Sequence, residues 1–190
     1  MEEQKIDRRV RKTKSQLRQA LIQLMTEKPF KSISVRELSE RADINRGTFY
    51  IHYRDVSDLL QHLEDEMAER LITVCRKYAY TDTAVEAFPY LTELYRFAQE
   101  NADLCQVLLG PNGDRVYTER ICSILHSYFL RDFVARFYSG DRDRLEYFCR
   151  FIVSGNLTLT LQWLSSGTKE TPEEMAQLAG GIIMDGVRAL

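Results

Sequence analysis

Four consecutive residues, Asn45-Arg46-Gly47-Thr48, have the types and spacing that fit a recognisable chemistry, and that chemistry is hydrogen bonding to nucleic acid. An arginine at the start of a short helix can bond a guanine edge through two parallel N–H donors. Gly47 beside it lets a backbone approach closely, and Thr48, Tyr50 and His52 can donate to phosphates, which orients a protein without reading sequence. Arg36, early in the preceding helix, is a second candidate for a base or phosphate contact. Val35, Leu38, Ala42, Ile44 and Phe49 carry no such chemistry and serve to pack the motif. Nothing comparable supports catalysis. The chain has no G-x-G-x-x-G, P-loop, G-x-S-x-G or H-E-x-x-H run. His52, His62 and His126 do not cluster with cysteines or acids at metal-ligand spacing, so no metal, cofactor or enzyme activity is expected.

The elements that must position these residues are helices. Ser34 with Glu37 forms a capping-box pattern that opens a short helix to about Ala42. Asp43-Ile44-Asn45 interrupts it, and Asn45 can cap a third short helix, Arg46–His52. Two helices joined by so short a turn form a helix-turn-helix. Upstream, Leu17, Ala20, Leu21, Leu24 and Met25 mark one buried helix face, with Thr13 and Gln16 as a capping box for its start and Pro29 for its end. After Asp55 an apolar stripe continues to about Ala79. Further helices are expected from a Thr83–Glu86 capping box to about Gln99, with a kink or break at Pro89, and over Ala102–Leu109. Two more run from Val116 to Tyr138 and from Asp141 toward Leu164. Thr171, Pro172 and Glu174 start the last one, in which Gly180-Gly181 points to close approach of another backbone. The fold class is all-α, with about nine helices. A head spanning residues 1–55 is continuous with a helical body spanning 56–190.

Charge supports a polyanionic partner once it is split between these parts. The net charge of −2 divides into +4 for residues 1–60 and −6 for residues 61–190. Within Lys5–Arg18 seven of fourteen residues are basic, and this arm is expected to be partly disordered and to track phosphates or a groove. A solubilising tail is the plainer alternative.

At these residues the chain resembles a known family. Ile33-Ser34-Val35…Leu38…Ala42-x-Ile44-Asn45-x-Gly47-Thr48-Phe49-Tyr50-x-His52-Tyr53…Asp58-Leu59-Leu60 is similar to the DNA-binding domain of tetracycline-repressor (TetR) regulators. Glu100-Asn101-x-Asp103 and Asn112-Gly113-Asp114 more weakly resemble the subgroup containing the activator of dihydroxyacetone-kinase operons. The resemblance implies a dimer that binds a palindromic double-stranded DNA operator, usually as a repressor, and is modulated by a small-molecule effector. A ligand-independent regulator acting through a protein partner is the alternative. The expected DNA-contacting set is Lys12, Thr13, Lys14, Ser34, Arg36, Asn45, Arg46, Gly47, Thr48, Tyr50, His52, Tyr53 and Arg54. Two positions depart from the pattern: the usual turn glycine is Asp43, and the usual phosphate-contacting lysine is Val56, whose contact Arg54 would have to supply.

The body is rich in tyrosine and phenylalanine, which suits a pocket for an apolar or amphipathic ligand. Tyr95, Tyr128, Phe129, Trp163 and His126 are the candidate contacts. The near-continuous apolar run Phe148–Leu164 reads, with the final helix, as a four-helix dimer interface built from Leu157, Leu161, Leu164, Leu178, Ile182, Ile183 and Gly186. The four cysteines lie apart in apolar contexts, as buried thiols in a reducing cytoplasm would. No signal peptide or membrane span is expected, so the reading is a cytoplasmic protein.

Overall fold

The computed structural model describes the backbone of residues 2–78, 87–129, 138 and 140–190, and the side chains of these except 2–7, 78, 87 and 88. The elements are α1 (Glu2–Glu27), a 3-10 turn (Phe30–Ser32), α2 (Val35–Arg41), α3 (Arg46–His52) and α4 (Val56–Tyr78). They continue as α5 (Ala87–Glu100), α6 (Ala102–Leu108), α7 (Arg115–Tyr128), α8 (Arg142–Ser165) and α9 (Pro172–Ala189). Among the described residues there is no strand, and the fold is all-α.

Local signals account for most helix ends. Asn45 caps α3, its side-chain oxygen accepting the Gly47 N–H at 2.8 Å. Thr171 and Glu174 form a reciprocal capping box with Pro172 in the first turn of α9. Only half of the first expected box forms: Ser34 Oγ accepts the Glu37 N–H at 3.2 Å, while the Glu37 carboxylate takes Lys28 Nζ at 2.7 Å instead. Asp43 sits in the left-handed region at φ 53°, so it fills the turn between α2 and α3 where glycine is usual. The turn is closed by the Ile44 N–H donating to the Ser39 carbonyl at 3.0 Å.

Two expectations about α1 are corrected. Thr13 does not start α1, which begins at Glu2. Thr13 is only 8% exposed inside the helix, and its hydroxyl donates to the Arg9 carbonyl at 3.1 Å. The basic run contains neither glycine nor proline, so nothing stops the helix upstream of its apolar stripe, and the expected loose arm is its opening turns. Pro89 is the third described residue of α5, and residues 83–86, which would precede the expected kink or break, lie outside the described residues. Gly181 faces open space, whereas Gly180 is buried, and at Gly186 an added Cβ would lie 2.5 Å from the Phe148 ring. The Thr83–Glu86 box and the continuation of α7 through 130–137 lie outside the described residues.

One hydrophobic core runs the length of the chain. Leu17, Leu21 and Leu24 of α1 meet Leu38, Phe49 and Leu59 in the head. From there α4 carries Met67 and Leu71 into the body, where α5 and α9 form the most extensive helix pair. At 23 residues α4 is about 35 Å long. Polar ties reinforce the junction: Asn112 Nδ2 donates to the Met25 carbonyl at 3.0 Å, and Arg18 of α1 pairs with Glu66 of α4 at 3.0 Å.

Candidate functional site

The surface of α3 follows from its seven residues. Phe49 faces inward and is fully buried, so the helix turns Arg46, Gly47, Tyr50 and Ile51 outward and leaves Thr48 and His52 half-buried at the sides. Arg46 is exposed with no partner among the described residues, as are Lys12 and Lys14 on α1. A Cβ at Gly47 would lie 3.3 Å from the Asn45 cap oxygen. Glycine there protects the cap, worth about 1 kcal/mol, and keeps the helix start bare.

Other expected contacts are already engaged. Arg36 is exposed and pairs with Glu40 at 2.9 Å. Arg54 lies open to solvent, but its guanidinium bonds Asp58 Oδ1 at 3.0 Å and its own N–H bonds Asp58 Oδ2 at 2.9 Å. These bonds hold the Asp58 carboxyl below its usual range, so a phosphate would have to compete with a carboxylate for Arg54. Val56, at the position of the usual lysine, is buried in the core. Ser34 is exposed as the α2 cap.

Thr13 and Tyr53 are corrected. Both are buried, and Tyr53 packs its ring against Phe49 at 5.9 Å and His62 at 5.4 Å, so neither reaches the outer surface. The sequence reading missed Ile51, which is 77% exposed beside Tyr50. A large apolar residue open to solvent on the most polar helix face is a signal for an apolar contact such as a thymine methyl. Only burial reveals it, because in sequence Ile51 reads as core.

In the body, Met67 and Leu71 of α4 line an apolar cavity of about 100 Å³ together with residues of α5, α6, α7 and α8. Of the five expected ligand contacts only Tyr95 lies on its wall, with its hydroxyl donating to Asn156 Oδ1 at 3.0 Å. Trp163 is buried behind Tyr95, edge-on at 5.6 Å, and its indole N–H donates to the Glu170 carbonyl. His126 sits 3.3 Å from Glu146, Tyr128 accepts from Arg76 at 3.3 Å, and Phe129 is buried; none of the three lines the cavity. Leu157 and Leu161, expected at a subunit interface, are half-buried and also line the cavity.

The remaining interface candidates divide. Leu164 and Ile183 are buried in the protomer's own core, while Gly186 is half-buried beside the Phe148 ring. Leu178 and Ile182 of α9 are more than half exposed, as are Tyr147 and Phe151 of α8, which the sequence reading did not select. All four cysteines are free, and burial pushes the Cys105 thiol up to about 12, which makes it unreactive. Among the described residues no cluster of His, Cys, Asp or Glu is placed to hold a metal, and no helix is long and apolar enough to cross a membrane.

A helix-turn-helix head on an all-helical body defines a DNA-binding regulator. Residues 17–63 match the family model for bacterial regulatory proteins of the tetR family, and residues 86–185 match that for a transcriptional regulator C-terminal region. The chain belongs to the TetR family of DNA-binding transcriptional regulators. An uncharacterized HTH-type transcriptional regulator, YxbF of Bacillus subtilis (strain 168), is 32% identical over 71 residues, which span 37% of this chain and 19% of that protein. A TetR transcriptional regulator from Streptococcus agalactiae 2603V shares 24% identity and a TM-score of 0.62, covering 93% of this chain and 96% of its own. The dihydroxyacetone kinase operon activator DhaS shares 17% identity and a TM-score of 0.58, covering 94% of this chain and 97% of its own. The likeness to these solved structures is one of fold.

Proposed function

We propose that the chain is a cytoplasmic homodimeric repressor whose two heads enter successive major grooves of a palindromic operator, about one helical turn apart or slightly more. The head comprises residues 1–55 and the regulatory body 56–190. Arg46 reads bases, with Tyr50 and Ile51 beside it. Lys12, Lys14, Asn45, Gly47, Thr48 and His52 approach the backbone, with Ser34, Arg36 and Arg54 at the edges. What carries this reading is the outward face of α3, where an unpaired arginine, a bare glycine, a tyrosine and an isoleucine are exposed together. The net −6 of residues 61–190 repels DNA away from that face.

Dimerisation uses the α8–α9 face, where Tyr147, Phe151, Leu178 and Ile182 leave apolar surface uncovered. A small-molecule effector enters the body cavity. Because α4 both lines that cavity and packs Leu59 into the head, a ligand that displaces α4 changes the spacing of the heads and releases DNA.

The test begins with an operator selected from a random DNA pool, and reads affinity by fluorescence anisotropy. Arg46→Ala and Tyr50→Ala are expected to lose tenfold or more each, in line with about 1–3 kcal/mol per base contact, without change in dimer mass. Removing residues 1–9 should reduce the logarithmic salt slope by about 0.9 for each phosphate that is no longer neutralised. Unchanged affinity in both point variants rejects this placement of the interface.

A further inference from the structure

The polar groups around the body cavity are unevenly spent. Tyr95, Asn156 and Thr160 are committed to one another and to backbone: Tyr95 donates to Asn156, Asn156 Nδ2 donates to the Ile152 carbonyl at 3.1 Å, and Thr160 donates to the Asn156 carbonyl at 2.8 Å. Tyr117 differs. It lines the cavity from α7, it is 2% exposed, and its hydroxyl has no hydrogen-bond partner. A buried hydroxyl left unpaired is destabilising, so such groups are rare unless a further molecule completes them.

The charge around Tyr117 narrows what that can be. Among the described residues no lysine, arginine or histidine lines the cavity. Glu64 of α4, one turn before Met67, is 6% exposed with Oε1 unpartnered, and it acts electrostatically on Tyr117. Its nearest charged neighbours are the acids Asp114 and Asp65, and the one cation there, Arg120, is bound to Asp65 at 2.5 Å. An anionic head group brought to Tyr117 would be desolvated beside carboxylates, with Arg70 held at the solvent side over the Phe97 ring rather than on the cavity wall. A neutral hydroxyl can either accept from Tyr117 or donate to it.

Size sets the rest. The cavity holds about 100 Å³, whereas a dry apolar cavity of roughly 150 Å³ accepts benzene. One ring with a short substituent therefore enters only by displacing its walls, among them Met67 and Leu71 of α4.

We propose that this cavity binds a neutral, mostly hydrocarbon ligand with a single hydroxyl, a small phenol or alcohol, whose hydroxyl pairs with Tyr117, and that it rejects carboxylates and phosphates. The proposal rests on the effector reading above and names the chemistry of that same site.

The test titrates full-length dimer calorimetrically with 4-methylphenol, toluene and 4-methylbenzoate. The phenol is expected to bind about tenfold more tightly than toluene, the return of one buried hydrogen bond. The benzoate is expected to bind at least thirtyfold more weakly than the phenol. In Tyr117→Phe, which removes only an unpaired hydroxyl and so should fold and melt no lower than wild type, the phenol falls to the level of toluene while toluene is unchanged. Leu94→Trp, which fills the cavity, should abolish binding of both. Benzoate binding comparable to the phenol, a phenol preference that survives Tyr117→Phe, or no binding by the wild-type protein overturns the proposal. Operator affinity measured with and without the phenol separates the two readings. Selective binding that leaves DNA affinity unchanged refutes the effector role and keeps the ligand class. Release of DNA by compounds that lack this selectivity does the reverse.

Discussion

Replacing Glu64 by glutamine is the perturbation whose magnitude follows most directly from the structure. Burial, reinforced by Asp114 and Asp65 and opposed by Arg120, pushes the Glu64 carboxyl up from 4.5 to about 7. A raised carboxyl holds its proton more tightly in the folded chain than in the unfolded one. Its contribution is therefore fully present below pH 4.5 and is lost as pH rises through about 7. At 1.36 kcal/mol per unit of pH, the interval amounts to about 3 kcal/mol. Glutamine has the shape of the protonated acid and no charge to desolvate. Glu64→Gln should match wild type below pH 4.5, exceed it by about 1 kcal/mol at pH 5, and by about 3 kcal/mol at pH 8. The other groups facing Glu64 leave that window clear: Arg120 holds Asp65 below its usual range, and burial raises the Tyr117 hydroxyl. Urea melts of both proteins from pH 4.5 to 8 supply the measurement. Thermal melts at pH 8 should differ by about 6–12 °C. A wild-type-minus-variant difference that stays constant with pH, or a glutamine variant less stable at pH 8, would refute the account of a desolvated and unpaired carboxylate.

Two further predictions concern the subunit contact and the turn. Phe151→Asp combined with Ile182→Asp should give a monomer by analytical ultracentrifugation, with protomer stability changed by no more than about 0.5 kcal/mol per site since both side chains are exposed in the protomer. A persistent dimer would move the interface off α8–α9. Asp43→Gly should raise stability by about 0.5–1 kcal/mol by relieving the positive φ, and Asp43→Ala should lower it. Equal melting of these two variants would mean the turn carries no such strain.

The head was legible because its signals are local. A cap oxygen and the N–H it accepts lie two or three residues apart, so Ser34 and Asn45, like Thr171 in the body, announce their helices whatever the rest of the chain does. The left-handed turn at Asp43 is local in the same way. Misreadings arose where a residue type permits two environments. Thr13 can cap or can bond back to its own helix, and only the absence of a breaker upstream selects the second. Tyr53 can face phosphate or core, and the packing of Phe49 and His62 around it decides.

In the body the balance reverses. From Phe148 to Leu164 apolar residues occupy every side of α8, so helical periodicity supplies no preferred phase. Three assignments were therefore open to each residue: own core, cavity wall or partner face. Tertiary packing placed Leu164 in the core, Leu157 and Leu161 on the cavity, and Phe151 on the surface. The sequence alone determined that the chain is all helix, where most of the helices begin, and which motif faces nucleic acid, because these depend on contacts a few residues long. Only the folded structure decided where space remains inside the body and which polar groups around it stay unpaired. A void is what several helices fail to fill together, and no one of them encodes it.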